Sequence, residues 1–381
     1  MQSVAQAWLV LRLSNSALAL GTVTTLQFLP MMLAGPLGGV LADRLDRRRA
    51  LLGTQSAAAL LAAALAALAG SGRVTVSEVD VLAFLLGVVN TVDNPVRQAF
   101  VTDMVGREDV PNAVALNSTV FNGARVVGPA LAGALIGAVG IADCFWINAA
   151  SFVPVIVGIA AMRPAELRRS AHSAGGGVWP AVAEALRYAA SDPDVLLVIG
   201  LMAVIGTFGM NFQTLLPLLA RFRLHAGAFA FGVLTGCLGL GSLVGALALA
   251  GLGRSTRTMV LAGASGFALL ETVLGAVDRL DVAGVVLTGI GLCSILYTAS
   301  SNSLLQMIVP DRLRGRVMSF YTYVFLGTTP IGSMVVGAVA QWAGPGAAFA
   351  LGGALGLAAV VAALVWTRRR TAHHRAPTGV R

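Results

Sequence analysis

The sequence contains no lysine, so all 26 of its basic residues are arginines. A nucleoside-triphosphatase phosphate loop ends in a lysine that reaches the β- and γ-phosphates, which excludes an ATP-driven pump of that kind. Charge of either sign is scarce, at 11% of residues, where soluble domains carry about 25%. Of the four histidines, His172 and His225 fall in loops and His373 and His374 in the tail, and no Ser/His/Asp or metal-ligand spacing accompanies them. A membrane-embedded enzyme therefore lacks its chemistry, and neither metal nor cofactor is expected. The three cysteines, Cys144, Cys237 and Cys293, stand singly within or beside apolar runs and read as small apolar side chains.

Hydrocarbon is what the chain has in excess: 57% of its 381 residues are hydrophobic, against about 45–50% in soluble proteins. Apolar stretches of about twenty residues recur from end to end, the length an α-helix needs to cross about 30 Å of bilayer core. Punctuation by Arg, Asp, Pro and Gly divides them into segments 2–13, 18–41, 50–68, 79–100, 113–139 and 143–161. Six more follow at 195–219, 228–249, 259–277, 283–308, 316–340 and 346–366. The runs are continuous and rich in Ala and Leu, whereas barrel strands alternate over about ten residues. An all-α membrane protein with twelve transmembrane helices in two pseudo-symmetric six-helix halves is the expectation. Segment 2–13 is short for a span, which predicts a first helix truncated at its N-terminal side. No charged n-region or cleavage site marks a removable signal.

A net charge of +9 raises the question of nucleic acid, but these arginines sit in short loops between apolar segments, where they report topology. With the N-terminus inside, nineteen arginines fall in inner loops and the tail, and Arg73, Arg221, Arg223 and Arg279 fall in outer loops. Arg12, Arg97 and Arg125 lie within segments. Both termini are expected to be cytoplasmic in a multi-pass protein of the inner (plasma) membrane. The expected partners are the lipid bilayer and a small molecule, with no nucleic acid, for a monomeric chain.

The polar stretch 163–194 contains the flexible run 170–177, with three consecutive glycines, then a short amphipathic run at 179–188. It divides the chain into a six-helix half at 1–162, a linker at 163–194, a second half at 195–367 and a basic tail at 368–381. Asn94, Gln98 and Val101 recur 208 positions later as Asn302, Gln306 and Val309, and Pro129 has a counterpart in Pro330. Repeats of this kind build central sites that open alternately to either side.

Between the second and third segments stand Gly39, Asp43, Arg44, Asp46, Arg47, Arg48 and Arg49, a loop that resembles the signature of the major facilitator superfamily. Asp46 occupies a position where that pattern usually has glycine. On the fifth segment Gly123, Arg125, Gly128, Pro129 and Gly133 resemble the motif marking the exporter branch. The runs from Asp93 through Asn94, Pro95 and Arg97 to Gln98, and from Asn112 to Ser118, are similar to the subgroup of enterobactin exporters and macrolide efflux proteins. The resemblance spans nearly the whole chain. It implies a secondary transporter that exports a small amphipathic drug- or siderophore-like molecule by alternating access, with proton antiport. It also implies an inner gate formed by Asp43 with Arg47 and Arg48, where an ordinary basic loop is the plain alternative.

Asp93 and Arg97 share one face of the fourth segment, one helical turn apart, at a depth where a lone charge is expensive. Their counterparts in the second half are Ser301 and Leu305, so the shared fold does not require the pair. Either Asp93 is a proton- or substrate-linked carboxylate restrained by Arg97, or the two form a static salt bridge. Arg125 is expected in the cavity, with snorkelling to the interface as its alternative. Gly123, Gly128 and Gly133 predict a close helix contact and Pro129 a bend. Glu271, an acid inside the ninth segment, is a candidate second proton carrier because an intramembrane acid is functional by default. The resemblance, however, puts the third helix of each triplet on the outside of the bundle, which favours a structural partner or a group protonated near the outer face.

Candidate cavity residues are Gln27, Asn90, Asn94, Asn211, Gln213, Tyr297, Asn302 and Gln306, among Phe208, Met210 and Phe212. Such a mostly apolar lining suits an amphipathic organic molecule, although each polar group is also suited to bridging two helices. An uptake symporter and a non-transporting sensor of the same fold remain as alternatives.

Overall fold

A computed structural model describes the backbone of residues 1–105, 108–164, 167, 178–252 and 255–375. Side chains are described throughout these except at 36–44, 111, 114–115, 118–119, 121–122, 125–126, 178–182, 252 and 368–375. Expectations for the glycine-rich run 170–177 and for residues 376–381 lie outside the described residues, as do the side chains of Asp43 and Arg125.

The described chain is helical with short connections. In order come α1 (Gln2–Ser14), α2 (Ala17–Arg44), α3 (Arg47–Ser71), α4 (Val76–Met104), α5 (Val110–Ala138) and α6 (Ile141–Ala161). Then follow α7 (Val178–Ser191), α8 (Pro193–Val204), α9 (Phe212–Leu218), α10 (Ala228–Leu252), α11 (Arg257–Leu274) and α12 (Leu280–Ile308). The last three are α13 (Asp311–Gly327), α14 (Thr329–Ala343) and α15 (Pro345–Arg375). Polar side chains mark the starts: Asp46 caps α3, Thr75 and Glu78 form a capping box on α4, Asp192 caps α8 and Thr256 caps α11. In an apolar solvent such caps belong at the ends, where water still reaches the first-turn N–H groups.

Among the described residues, nine stretches are long and apolar enough to cross a bilayer. The other three expected segments fall short for identifiable reasons. Helix α1 has 13 residues, α5 contributes only the shorter apolar stretch Val127–Ala138, and α4 carries Asp93, Arg97 and Asp103 within its length.

Large apolar side chains point outward all round: Leu60 is 71% exposed, Leu247 67% and Val285 74%. In water that surface would aggregate, whereas in hydrocarbon it is solvated. Shape does the holding inside, because lipid tails give helices no hydrophobic incentive to associate. Backbones meet where side chains vanish, as where Gly87 of α4 lies against Gln27 and Pro30 of α2, and where Gly291 of α12 lies against Leu238 of α10.

Helix α7, which the sequence analysis gave only as an amphipathic run, lies against α13. Its Glu184 pairs with Arg316, and Ala185 and Ala189 are buried.

Candidate functional site

Asp93 is buried at the α3–α4 contact, 3% exposed. Thr54 Oγ1 donates to its Oδ1 at 2.7 Å and Gln55 Nε2 at 2.8 Å, both from α3. Arg97 Nε stands 3.5 Å from Oδ2 across one helical turn, and an Arg97 Nη2 hydrogen donates to Asn94 Oδ1 at 2.9 Å. A buried carboxylate needs this many donors to offset its lost hydration. They are unequal, however: Thr54 and Gln55 bond tightly from a packed helix, while the Arg97 side chain is 49% exposed and more distant. Arg97 is thus the more loosely held partner. Thr54 and Gln55 escaped the sequence reading, although a polar pair inside an Ala/Leu-rich run was a usable signal.

At the arginine-rich end, Arg47 Nη1 donates to Asp103 Oδ1 at 2.7 Å. Arg48 donates to the carbonyl oxygens of Ile159 at 3.0 Å and Ala160 at 2.7 Å at the end of α6, the first of which also accepts from the Met162 N–H. The expected gate arginines thus bind α4 and α6. A cavity of about 190 Å³ opens among Asp46, Arg47, Arg48, Arg49, Phe100 and Asp103. Asp103, three residues beyond the apolar segment read at 79–100, was also missed.

The seventh apolar segment, expected at 195–219, is one candidate span, Pro193–Arg223, with its regular helix interrupted inside it. Helix α8 runs into a π-helical turn at Ile205–Gly209, the helical pattern lapses at Met210 and Asn211, and α9 then leads into a second π-turn at Leu219–Arg223. Such bulges recur at functional sites. Asn211 bridges the break: its Nδ2 donates to the Thr207 carbonyl at 2.6 Å, and Ser333 Oγ on α14 donates to its Oδ1 at 3.2 Å. The eleventh segment is likewise interrupted, at Thr328 between α13 and α14.

These contacts place two of the cavity candidates in the interior, Asn211 in the bridging role offered as its alternative. Asn211 is buried as a bridge between elements, and Tyr297 is fully buried against Gly263 of α11, its hydroxyl 4.0 Å from Met202 Sδ. In an apolar helix a polar residue can face core, neighbour or cavity without altering the sequence pattern. Of the remaining candidates, Gln27, Asn90, Asn94 and Asn302 are half-buried, whereas Gln213 and Gln306 are exposed. Gln306 Nε2 donates to Asn302 Oδ1.

The small-residue motif of α5 divides. A Cβ on Gly133 would stand 2.8 Å from the Ala228 carbonyl oxygen, and one on Gly232 2.9 Å from that of Pro129, so α5 and α10 touch backbone to backbone there. Among the described residues no atom lies within 4 Å of a Cβ added at Gly123 or Gly128, so the described close contact is at Gly133. This backbone-to-backbone approach lies, among the described residues, toward the end of α5 away from the arginines. At that same end Gln341 Oε1 accepts from Ser16 Oγ at 3.0 Å and from the Ala17 N–H at 2.8 Å, and midway along α2 Thr25 Oγ1 donates to the Pro330 carbonyl at 3.0 Å.

A helical body with an apolar outer surface, interrupted helices and a few buried charges between its ends is the architecture of a polytopic membrane protein, and the family match makes it a transporter of the major facilitator type. The profile of the transmembrane secretion effector family matches residues 1–378, and the chain belongs to that family. It is 27% identical to the multidrug efflux pump Tap of Mycolicibacterium fortuitum over 91% of this chain and 86% of that one. Identity is 24% to the Staphyloferrin A transporter of Staphylococcus aureus, over 86% and 82%, and 25% to the enterobactin exporter EntS of Citrobacter koseri, over 90% and 81%. In fold it resembles a POT family transporter in complex with 5-aminolevulinic acid, with a TM-score of 0.74 and 10% identity over 97% of this chain and 93% of that one. It also resembles the nucleoside transporter NupG, with a TM-score of 0.72 and 12% identity over 95% and 93%. At these identities the structural likeness speaks for the fold alone.

Proposed function

We propose that the chain is a secondary active exporter of a small amphipathic organic molecule, drug- or siderophore-like, that works by alternating access in exchange for protons. Two of the relatives named above are an efflux pump and a siderophore exporter, which supports the direction and the cargo class. In this reading twelve spans form two six-helix halves, 1–162 and 195–367, joined by the 163–194 linker. The arginine-rich end faces the cytoplasm with both termini, because basic loops are retained on that side of the plasma membrane.

The observation that carries the reading is the unequal holding of Asp93. Thr54 and Gln55 anchor one oxygen, and a half-exposed arginine attends the other. A proton arriving on Oδ2 removes the charge that holds Arg97, so the guanidinium is released toward the passage, and loss of that proton draws it back. Protonation is thereby linked to a mobile positive charge. The contacts that join α1–α6 to later helices at Gly133–Gly232 and Ser16–Gln341 support a state closed to the outside, in which Arg47 and Arg48 engage their own half.

Whole cells test the direction. Cells making the protein should accumulate less of an organic-cation dye, or release more metal-free siderophore, than cells without it, and a protonophore should remove the difference. Greater accumulation would favour an uptake symporter, and no difference with either probe would favour a sensor.

A further inference from the structure

Glu271 is fully buried on α11, and among the described residues neither of its carboxylate oxygens has a hydrogen-bond partner. Two glycines make room for it. A Cβ on Gly209 would stand 2.8 Å from Oε2, and one on Gly352 of α15 would stand 2.8 Å from Oε1. That same Gly352 position lies 2.8 Å from the carbonyl oxygen of Phe208, so Oε1 and this carbonyl share one small hollow. Phe208 and Gly209 close the π-turn just before the break at Met210 and Asn211, where carbonyls lose their regular helical donors. The Phe267 ring completes the wall, 2.9 Å from the Gly209 Cβ position.

Nothing described nearby offsets a negative charge. The charged groups on the packed elements pair among themselves at the helix ends, Arg223 with Asp278 at 2.7 Å and Arg257 with Asp194 at 3.1 Å. A lone ionised carboxylate in such surroundings is expensive. Hard metal cations gather six or more oxygens, whereas this hollow offers the carboxyl group and one carbonyl between apolar walls. The arrangement fits a proton.

We propose that Glu271 is a second proton-carrying site of the transport cycle, resident as a carboxylic acid in the hollow it shares with the Phe208 carbonyl oxygen. The step is a simple protonation: a carboxylate takes one proton from water to become the acid, and returns it when the broken helix moves aside. Placement one turn from the end of α11 that lies away from the arginines suits exchange with the outer face. The proposal rests on the antiport reading, but its test needs no transported molecule.

Hydrogen–deuterium exchange of the full chain in lipid nanodiscs provides that test. Corrected for intrinsic rate, exchange across 205–211 and 346–353 should rise between mildly acidic and alkaline solution in the wild type. In Glu271→Gln, a shape-matched mimic of the acid, it should stay at the acidic level throughout. An infrared C=O band of a protonated carboxyl group should be present in the wild type and absent from the variant. The proposal is overturned if the wild type shows no pH response, if Glu271→Gln responds as the wild type does, if sodium rather than pH drives the change, or if the band is unaffected. Failure of dye or siderophore export with these results intact would instead count against the export reading.

Discussion

Gly332→Val should leave little folded protein to purify. A Cβ at Gly332 falls inside the van der Waals shell of the Thr207 carbonyl oxygen and 2.7 Å from Asn211 Nδ2, so α14 cannot stay seated on the π-turn. The obstacle is backbone, which does not swing away as a side chain would. Overpacking costs about 1–3 kcal/mol where neighbours can adjust, and here they cannot. Losing the two Asn211 hydrogen bonds inside the protein adds about 1–3 kcal/mol for each polar group left unpaired. Against a typical stability of about 5–15 kcal/mol, the variant should aggregate in detergent or melt far below the wild type. Gly128→Ala is the matched control. Its Cβ meets nothing within 4 Å among the described residues, and a mid-helix glycine gains about 1 kcal/mol on becoming alanine, so its melting temperature should hold or rise. Equal melting of the two variants would refute the close approach at α14.

Asp93→Asn should abolish gradient-driven export while leaving the fold intact. The amide oxygen of asparagine still accepts from Thr54 and Gln55, so the α3–α4 contact keeps its two short hydrogen bonds. Only the attraction to Arg97 disappears, and an ion pair with one half-exposed partner contributes about 1 kcal/mol or less. Melting should therefore change by little, yet the variant has no proton to exchange at this site. Asp93→Ala should differ by also stranding the Thr54 hydroxyl and the Gln55 amide, at about 1–3 kcal/mol. Comparing the two separates the charge from the scaffold: full transport by the asparagine variant would reduce Asp93 and Arg97 to a static bridge.

Much of the helical plan was readable because hydrocarbon imposes it. A segment in lipid must satisfy its own backbone, so the apolar runs, their length and the arginines between them announce helices directly. The failures share one cause. Where nearly every residue is apolar, periodicity no longer separates the lipid face from the core or the core from a passage, so the sequence left Tyr297 and Asn211 open between lining and bridging, and the structure buries both. The breaks at Met210 and Thr328 were hidden for a related reason, since Gly206, Gly209 and Pro330 are as common in tightly packed membrane helices as at interruptions. Asp93 with Arg97 was legible from spacing alone. Their supports, Thr54 and Gln55, sit on another helix 39 and 38 positions away, a separation at which no local pattern operates.

Glu271 illustrates the opposite case. Its buried charge was visible in the sequence, but its setting depends on two glycines far apart in the chain, Gly209 and Gly352, and on a carbonyl exposed by a break that no run of residues announces.

The central claim is that this chain moves an organic molecule out of the cell at the expense of a proton gradient. Inverted membrane vesicles measure it most directly, with an acid interior imposed and uptake of an organic-cation dye or a metal-free siderophore followed over time. The account predicts uptake that depends on the gradient, collapses with a protonophore and is missing in Asp93→Asn. Uptake indifferent to the gradient, or transport of the same molecules only in the opposite direction, would contradict it.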